Sequence, residues 1–326
     1  MSGKQQSENI PPPAMGVRTQ WDALPDRVKA AIGAKLGGPV TRAENQTGGF
    51  SPGVAARVIT RDGTRAFIKA VSPSPNPSSP PMHRREVMIA SAFPPGVPAP
   101  KFLWSLDEGG EGWVVLAFED IDGRTPLQPW DAGELDRVLD AVIGLSETLT
   151  PSPLDMALAG TAVEGLFGRK YWGRCISRGL PAGIDAWSRR HIETLAALEN
   201  EAVEAVGGET LVHFDIRADN VVLTADRVYF VDWAHARVGA AWLDMVLMTP
   251  SVAMQGGADA ETMLMRHPAA RRADPRFLDV AIAALAGFFI VESLQPPPPG
   301  LPTLRAFQAA QGREAREWLA GRTGLA

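Results

Sequence analysis

The apolar positions of this chain change period near residue 120. Before that point they alternate or run in short β-branched stretches, the pattern of strands. Val40–Gln46, Val54–Thr60 and Thr64–Val71 are predicted as three strands. Arg61-Asp62-Gly63 between the last two is a hairpin signal, because Asp-Gly accepts the backbone of a tight turn. Lys101–Leu106 and Trp113–Phe118 are predicted as two more strands around an acidic, glycine-rich turn. A helix is expected over Pro25–Leu36, closed by Gly37-Gly38, and another over His83–Phe93, stopped by Pro94-Pro95. Ser72–Pro81, built only of Ser, Pro and Asn, reads as a loop. Five strands with one helix after the third make a small α+β lobe.

After Gly123 a helical period takes over. Asp131 with Glu134 resembles a capping box, and Leu135, Val138, Leu139, Val142, Leu145 and Leu149 form one apolar stripe behind it. Ile192, Leu195, Leu198, Ala202 and Val206 form a second, ended by Gly207-Gly208. Helices are expected again near Leu243, over Pro275–Leu294 and over Leu304–Leu319, with Pro296–Pro299 between the last two. The division this implies is a disordered tail over 1–20, a sheet lobe over 21–118 and a larger, mainly helical lobe over 119–326. No internal repeat is visible.

Chemistry concentrates between two apolar runs of the second part, where His213, Asp215, Asn220 and Asp232 lie close together. A carboxylate, an amide five residues on and a second carboxylate twelve beyond it can orient a hydroxyl and hold a metal–nucleotide. In that reading Asp215 is the base, while Asn220 and Asp232 offer hard oxygens to Mg²⁺. Each residue alone reads better as a cap or turn; the three at this spacing favour catalysis. His213 is either a ligand or base itself or, as favoured here, a brace for the loop. Arg217 either meets a phosphate or forms a surface ion pair with Asp219.

The first part supplies the complement. Gly48 and Gly49, with Ser51 nearby, let backbone approach phosphates closely between the first two strands. Lys69 sits inside an apolar strand and needs an anionic partner, since an unpaired buried charge is costly. The phosphates of ATP or GTP are one such partner, and Glu86 of the following helix is the other. Backbone groups near Phe118 and Asp120, where the two parts join, are placed to meet a nucleobase edge. Arg84 and Arg85 read as solvated.

Composition adds limits. Net charge is −5, which does not suggest a nucleic-acid partner. Residues 1–118 carry 13 Lys and Arg against 9 Asp and Glu, residues 119–326 carry 19 against 28. That asymmetry suits a polyphosphate on one side and an amine-bearing acceptor on the other, though scattered surface charge gives the same counts. A single cysteine, Cys175, fits a reducing, cytoplasmic compartment. The polar N-terminus lacks the apolar core of a signal peptide, and the apolar stretch Phe277–Val291 is too short to span a bilayer.

Gly48-Gly49, Lys69, Glu86, His213-Phe214-Asp215, Asn220 and Val231-Asp232-Trp233 together resemble the aminoglycoside phosphotransferase family, over roughly residues 40–250. The resemblance implies a bilobal, protein-kinase-like fold and a Mg²⁺-dependent transfer of phosphate from ATP or GTP to a small-molecule hydroxyl. It also implies that Asp244 braces the catalytic loop. Phe214 stands where the family typically has glycine. Acceptors in the family include antibiotics, choline, homoserine and sugars, so resistance and metabolism are both open, and a non-catalytic nucleotide-binding protein is the third reading. Trp172, Trp187, Trp242, Asp155, Glu164, Asp259 and Glu261 are candidate pocket residues, with core packing the alternative for the tryptophans. Oligomeric state has no sequence signal.

Overall fold

The computed structural model describes residues 13–325. A short helical turn, Trp21–Ala23, leads into α1 (Asp26–Leu36) and a five-stranded sheet. Its strands are β1 (Val40–Asn45), β2 (Val54–Thr60) and β3 (Arg65–Val71), then, after α2 (Ser79–Ser91), β4 (Phe102–Asp107) and β5 (Val114–Phe118). All pairings are antiparallel, in the order β1-β2-β3-β5-β4. Two-residue alternation sorts β3. Ala66, Ile68 and Ala70 turn to one face, where Trp21, Leu24, Val28, Ile32 and Leu36 cover the sheet. Val71, with Leu116 and Phe118 of β5, packs on the other face against Ala90 of α2, which puts Lys69 on the α2 side as well.

Helix α2 starts four residues before the sequence reading placed it. Pro80 and Pro81 fall in its first turn, where backbone N–H groups have no intrahelical acceptor, so proline sacrifices no bond there. Arg84 and Arg85, expected to be solvated, are both engaged. Arg84 clasps Asp107 through two bonds of 2.7 and 2.9 Å. Arg85 donates to the carbonyls of Ala159, Ala234 (3.0 Å) and Ala236 (2.8 Å), and so fastens α2 to the second lobe.

The second lobe opens with α3 (Ala132–Thr148), whose stripe Leu135–Leu149 is buried. Asp131 caps it by accepting from Glu134 N (3.0 Å), but the Glu134 side chain goes instead to Leu127 N (2.8 Å) and Arg124, so the box is half made. Short helices follow: α4 (Met156–Ala159), α5 (Ala162–Gly165), α6 (Tyr171–Arg178), α7 (Ala186–Arg190), α8 (Ile192–Asn200) and α9 (Ala202–Ala205). The second apolar stripe is thus divided between α8 and α9 at Glu201. Two small ladders come next: β6 (Thr210–Val212) pairs with β9 (Arg237–Gly239), and β7 (Val221–Leu223) with β8 (Val228–Phe230). Helices α10 (Leu243–Met254), α11 (Ala260–Arg266), α12 (Pro268–Arg272), α13 (Pro275–Ser293) and α14 (Leu304–Thr323) complete the lobe. Among the described residues no helix is long and apolar enough to cross a membrane.

The expected disordered tail lies outside the described residues for 1–12. Over 14–20 the chain is instead docked. Gly16 N donates to Gly49 O (3.0 Å), Gly49 N to Ala14 O (2.9 Å), Val17 N to Gly300 O (2.8 Å) and Thr19 N to Pro52 O (2.9 Å). A short, aperiodic stretch is held here mainly by backbone bonds to loops, which need no side-chain pattern.

Candidate active site

Lys69 leaves the α2 face of the sheet and meets Glu86, with Nζ 2.8 Å from Oε1 and 2.6 Å from Oε2. The same ammonium lies 3.2 Å from Asp232 Oδ1 of the second lobe. One cation therefore sits between two carboxylates. Burial works to lower the Lys69 pKa, but Asp232 and Glu86 outweigh it and hold the ammonium charged. Burial raises Glu86 to about 7 against the pull of Lys69. Asp232 also bears a desolvation cost, yet Lys69 and His235 hold it well below the usual carboxylate range.

A second cluster lies on the loop between β6 and β7. Arg217 donates to Asp215 Oδ1 and, bidentately, to Asp219 at 3.0 and 2.9 Å. It is largely buried, so the pairing with Asp219 weighed from sequence exists but is not a surface one. Burial raises the Asp215 pKa while Arg217 opposes the rise. Asn220 donates from Nδ2 to the Asp215 carbonyl (2.8 Å) and to Asp215 Oδ2 (3.1 Å), which assigns its remaining side-chain oxygen as an acceptor.

His213, Phe214 and Asp244 hold this loop from behind. Asp244 accepts from His213 N (2.9 Å) and Phe214 N (2.8 Å). The His213 ring takes Asp215 N on Nδ1 (3.3 Å) and so donates from Nε2 to Val231 O (3.0 Å), which fixes one tautomer. Burial pushes His213 down to about 4 and Asp244 up to about 7. Phe214 and Asp232 have φ of 73° and 68°, the left-handed region that favours glycine. Asp tolerates it; Phe does so only because Asp244 grips its N–H and its ring packs edge-on against Phe167 at 5.9 Å. Gly165 makes room, since a Cβ there would stand 3.2 Å from the Phe214 ring.

The loop between β1 and β2 lies against the second cluster. Gly49 has φ 87°, and Ser51 Oγ accepts weakly from Gly53 N (3.4 Å). Gly53 is sterically obligatory: a Cβ would fall 2.2 Å from Val71 Cγ1. Phe50 meets Phe307 of α14 edge-on at 5.1 Å, and Arg217 lies 5.5 Å from the Phe50 ring centre. Thus Gly48, Gly49, Lys69, Glu86, Asp215, Arg217, Asn220 and Asp232 come together. Phe118 lies in the ladder opposite Phe67 and Phe102. The Asp120 carboxylate is held by Arg57 (2.6 Å) and Arg65 (2.8 Å), so any nucleobase contact there is left to backbone.

The candidate pocket residues scatter. Trp172 and Trp242 are core, with Trp172 Nε1 donating to Ala283 O (2.8 Å). Trp187 donates to Leu325 O (3.0 Å). Asp155 and Asp259 cap α4 and α11, and Glu164 closes a capping box with Thr161. Glu261 pairs with Arg322 (2.6 Å), and with Asp259 it borders a cavity of about 810 Å³ beside Trp318. That cavity opens on residues 314–322 of α14, about 10–20 Å along the helix from Phe307, and so away from Asp215. Sequence reasoning missed Arg18, Phe50 and Phe307, none of which has a periodic or motif signal.

The oxygen donors here fit a hard divalent cation. Asn220 and Asp232 provide one amide and one carboxylate oxygen, and among the described residues no group of three or more His, Cys, Asp and Glu forms a metal cage. Magnesium is bound in this manner, by few side chains with phosphates completing its shell.

Residues 47–278 match the family described as "Phosphotransferase enzyme family". The chain belongs to that family. Solved structures of similar fold include the choline kinase LicA of Streptococcus pneumoniae, at 13% identity and a TM-score of 0.61, covering 91% of this chain and 98% of the other. A choline/ethanolamine kinase family protein of Mesorhizobium loti gives 16%, 0.53, 90% and 94%. The amicoumacin kinase hAmiN, solved with AMP-PNP, Ca²⁺ and Ami, gives 13%, 0.51, 87% and 88%. No curated protein matches by sequence. The phosphotransferase therefore has the bilobal, protein-kinase-like α+β fold, and it is a small-molecule enzyme of the hydroxyl-phosphorylating type.

Proposed function

We propose that this phosphotransferase moves the γ-phosphate of ATP or GTP to a hydroxyl of a small natural product. The observation that carries this reading is Lys69, shared between Glu86 of one lobe and Asp232 of the other. A buried ammonium beside the Asp232 carboxylate is placed to receive a polyphosphate. Residues 21–118 then serve the donor, with Gly48, Gly49 and Ser51 lining its phosphates and the backbone of Phe118–Asp120 its base. Residues 119–326 serve the acceptor.

In this reading Asp215 accepts the proton as the acceptor oxygen bonds to phosphorus and the bond to the departing nucleoside diphosphate breaks. Burial strengthens it as a base, and Asn220 and Arg217 fix its orientation. Arg217 offsets charge on the transferring group. Asn220 and Asp232 would hold Mg²⁺, which when bound neutralises charge on the phosphates. His213 and Asp244 position the loop without touching substrate. A cytoplasmic setting and an acceptor bearing an amine, drawn by the acidic second lobe, belong to the same reading.

An antibiotic acceptor, in resistance or self-resistance, is our first assignment. The folds it shares belong by name to an amicoumacin kinase and to choline kinases alike, so a metabolite kinase is an equal second. A non-catalytic role is third. Turnover of Mg-nucleotide with a broad acceptor panel, wild type against Asp215→Ala, tests the reaction. Equal, low turnover in both proteins defeats the enzyme reading. Protection of a sensitive host against no antibiotic on the panel would leave the metabolite kinase.

A further inference from the structure

The docked segment 14–20 carries a cation into the cleft that the proposed reaction does not yet use. Arg18 donates from Nε to Gly48 O at 2.7 Å, and from Nη2 to the same carbonyl, while Nη1 reaches Gly53 O only at 3.5 Å. Among the described residues its guanidinium meets backbone carbonyls and forms no carboxylate ion pair. A half-buried guanidinium on carbonyls alone is solvated but not neutralised.

Its position is specific. A Cβ on Gly49 would lie 2.8 Å from Arg18 Nη2 and 3.7 Å from Asp219 Oδ2, so both groups flank the same face of that glycine. Asp219 in turn holds Arg217 beside Asp215. Arg18 therefore stands where the glycine loop meets the catalytic loop, at the end of the cleft where the transferring phosphate belongs. The segment is fixed on both sides: Thr303 Oγ1 donates to Met15 O (2.7 Å), and Val17 N to Gly300 O, opposite its bonds to Gly49 and Pro52. The electrostatics agree, since burial lowers the Arg18 pKa and only the more distant Asp232 and Asp219 support its charge.

We propose that Arg18 is a donor-binding residue, delivered by the segment 14–20, that pairs with the nucleotide's phosphates beyond the first. This rests on the nucleotide reading above. Arginine offers a planar fork of donors that suits phosphate oxygens. Gly48 O holds that fork in place until phosphate is present.

Calorimetric titration of wild type, Arg18→Gln and Arg18→Lys with ATP, ADP and AMP in Mg²⁺ tests it. Arg18→Gln is expected to weaken ATP and ADP about tenfold and AMP by less than about twofold, with Arg18→Lys between. Unchanged ATP affinity, tighter ATP binding, or equal weakening of AMP would each overturn the proposal; the last would mark a purely docking role. Should Arg18→Gln fail to fold, hydrogen exchange on the wild type decides. Amides of 14–19 should be protected more by ADP than by AMP, and equal protection would count against Arg18. Failure of the wild type to bind any nucleotide would instead defeat the underlying reading.

Discussion

The cleft contains two clusters of the same composition, a cation between two carboxylates, built in opposite ways. Glu86–Lys69–Asp232 joins residues far apart in sequence and on different lobes. Asp215–Arg217–Asp219 closes within five residues of one loop. The first exists only while the lobes face each other, so its contacts can change as a donor binds. The second is fixed locally and braced by His213, Phe214 and Asp244. Reacting groups gain from such preorganisation, whereas a donor site must open and close.

The largest expected effects should separate the two clusters. Asp232→Ala is expected to lower kcat/KM about a thousandfold or more and to remove the Mg²⁺ dependence of nucleotide affinity. Asp215→Ala should lower kcat by about 10²–10⁴ and leave nucleotide affinity unchanged. Steady-state kinetics with calorimetry on both variants checks this. If Asp215→Ala loses nucleotide as badly as Asp232→Ala, the division into donor and base clusters fails.

Removing the cations comes next. Lys69→Ala leaves Glu86 and Asp232 facing each other with Glu86 buried, and should cost about 3 kcal/mol of stability. Bound Mg²⁺ nucleotide should restore part of that loss, because it brings positive charge to Asp232. Arg217→Ala should cost a similar amount, with less restored. Thermal melts of both variants with and without Mg-ATP give the comparison, and equal rescue would argue against it.

The two clusters were also unequally legible. Asp215, Asn220 and Asp232 could be read because one loop and one hairpin, β7–β8, hold all three. Lys69 and Glu86 could be paired because a lysine inside an apolar strand needs an anionic partner and the following helix supplies one. The shared contact of Lys69 with Asp232 needed the lobes brought together by Arg85, which looked like a solvated side chain. Arg18 was invisible for a stronger reason: its segment is held by backbone bonds to residues 49–52 and 300, and such bonds leave no mark on side-chain identity. Asp155 and Asp259 misled in the other direction. An acid just before a short helix caps it, and that local role outweighs any pull toward a pocket.

Acid should distinguish the braced loop from the rest of the fold by about 2 kcal/mol. His213 is neutral when folded, its pKa near 4 against about 6.5 in an unfolded chain. Its contribution is whole above pH 6.5 and is lost as pH falls toward 4. Asp244, raised to about 7, has the opposite sign: its contribution is whole below about pH 4 and is lost as pH rises through 7. Between pH 7 and 5 the two oppose each other, as do His83, near 4, and Glu86, near 7. His267, buried on Ser146 Oγ at 3.1 Å and also near 4, has no such counterpart at the site. His267→Gln should therefore reduce the stability lost between pH 7 and 5 by about 2 kcal/mol in urea titrations. No change in that loss would mean His267 does not stay neutral in the fold.

The smallest effect tests the brace at one backbone position. Phe214 keeps φ at 73°, a conformation that costs a residue with a Cβ about 1–2 kcal/mol. Phe214→Ala loses the ring contact with Phe167 and keeps the strain. Phe214→Gly loses the same contact and releases it. The glycine variant should therefore be the more stable of the two by about 1 kcal/mol, the reverse of their order at an ordinary backbone position. It should also retain more kcat, because Asp244 still grips the N–H of residue 214 and holds Asp215 in register. Urea denaturation and kcat for the pair provide the measurement. If alanine proves as stable as glycine, residue 214 is not left-handed in the working enzyme, and the local cluster is less rigidly braced than its partner across the cleft.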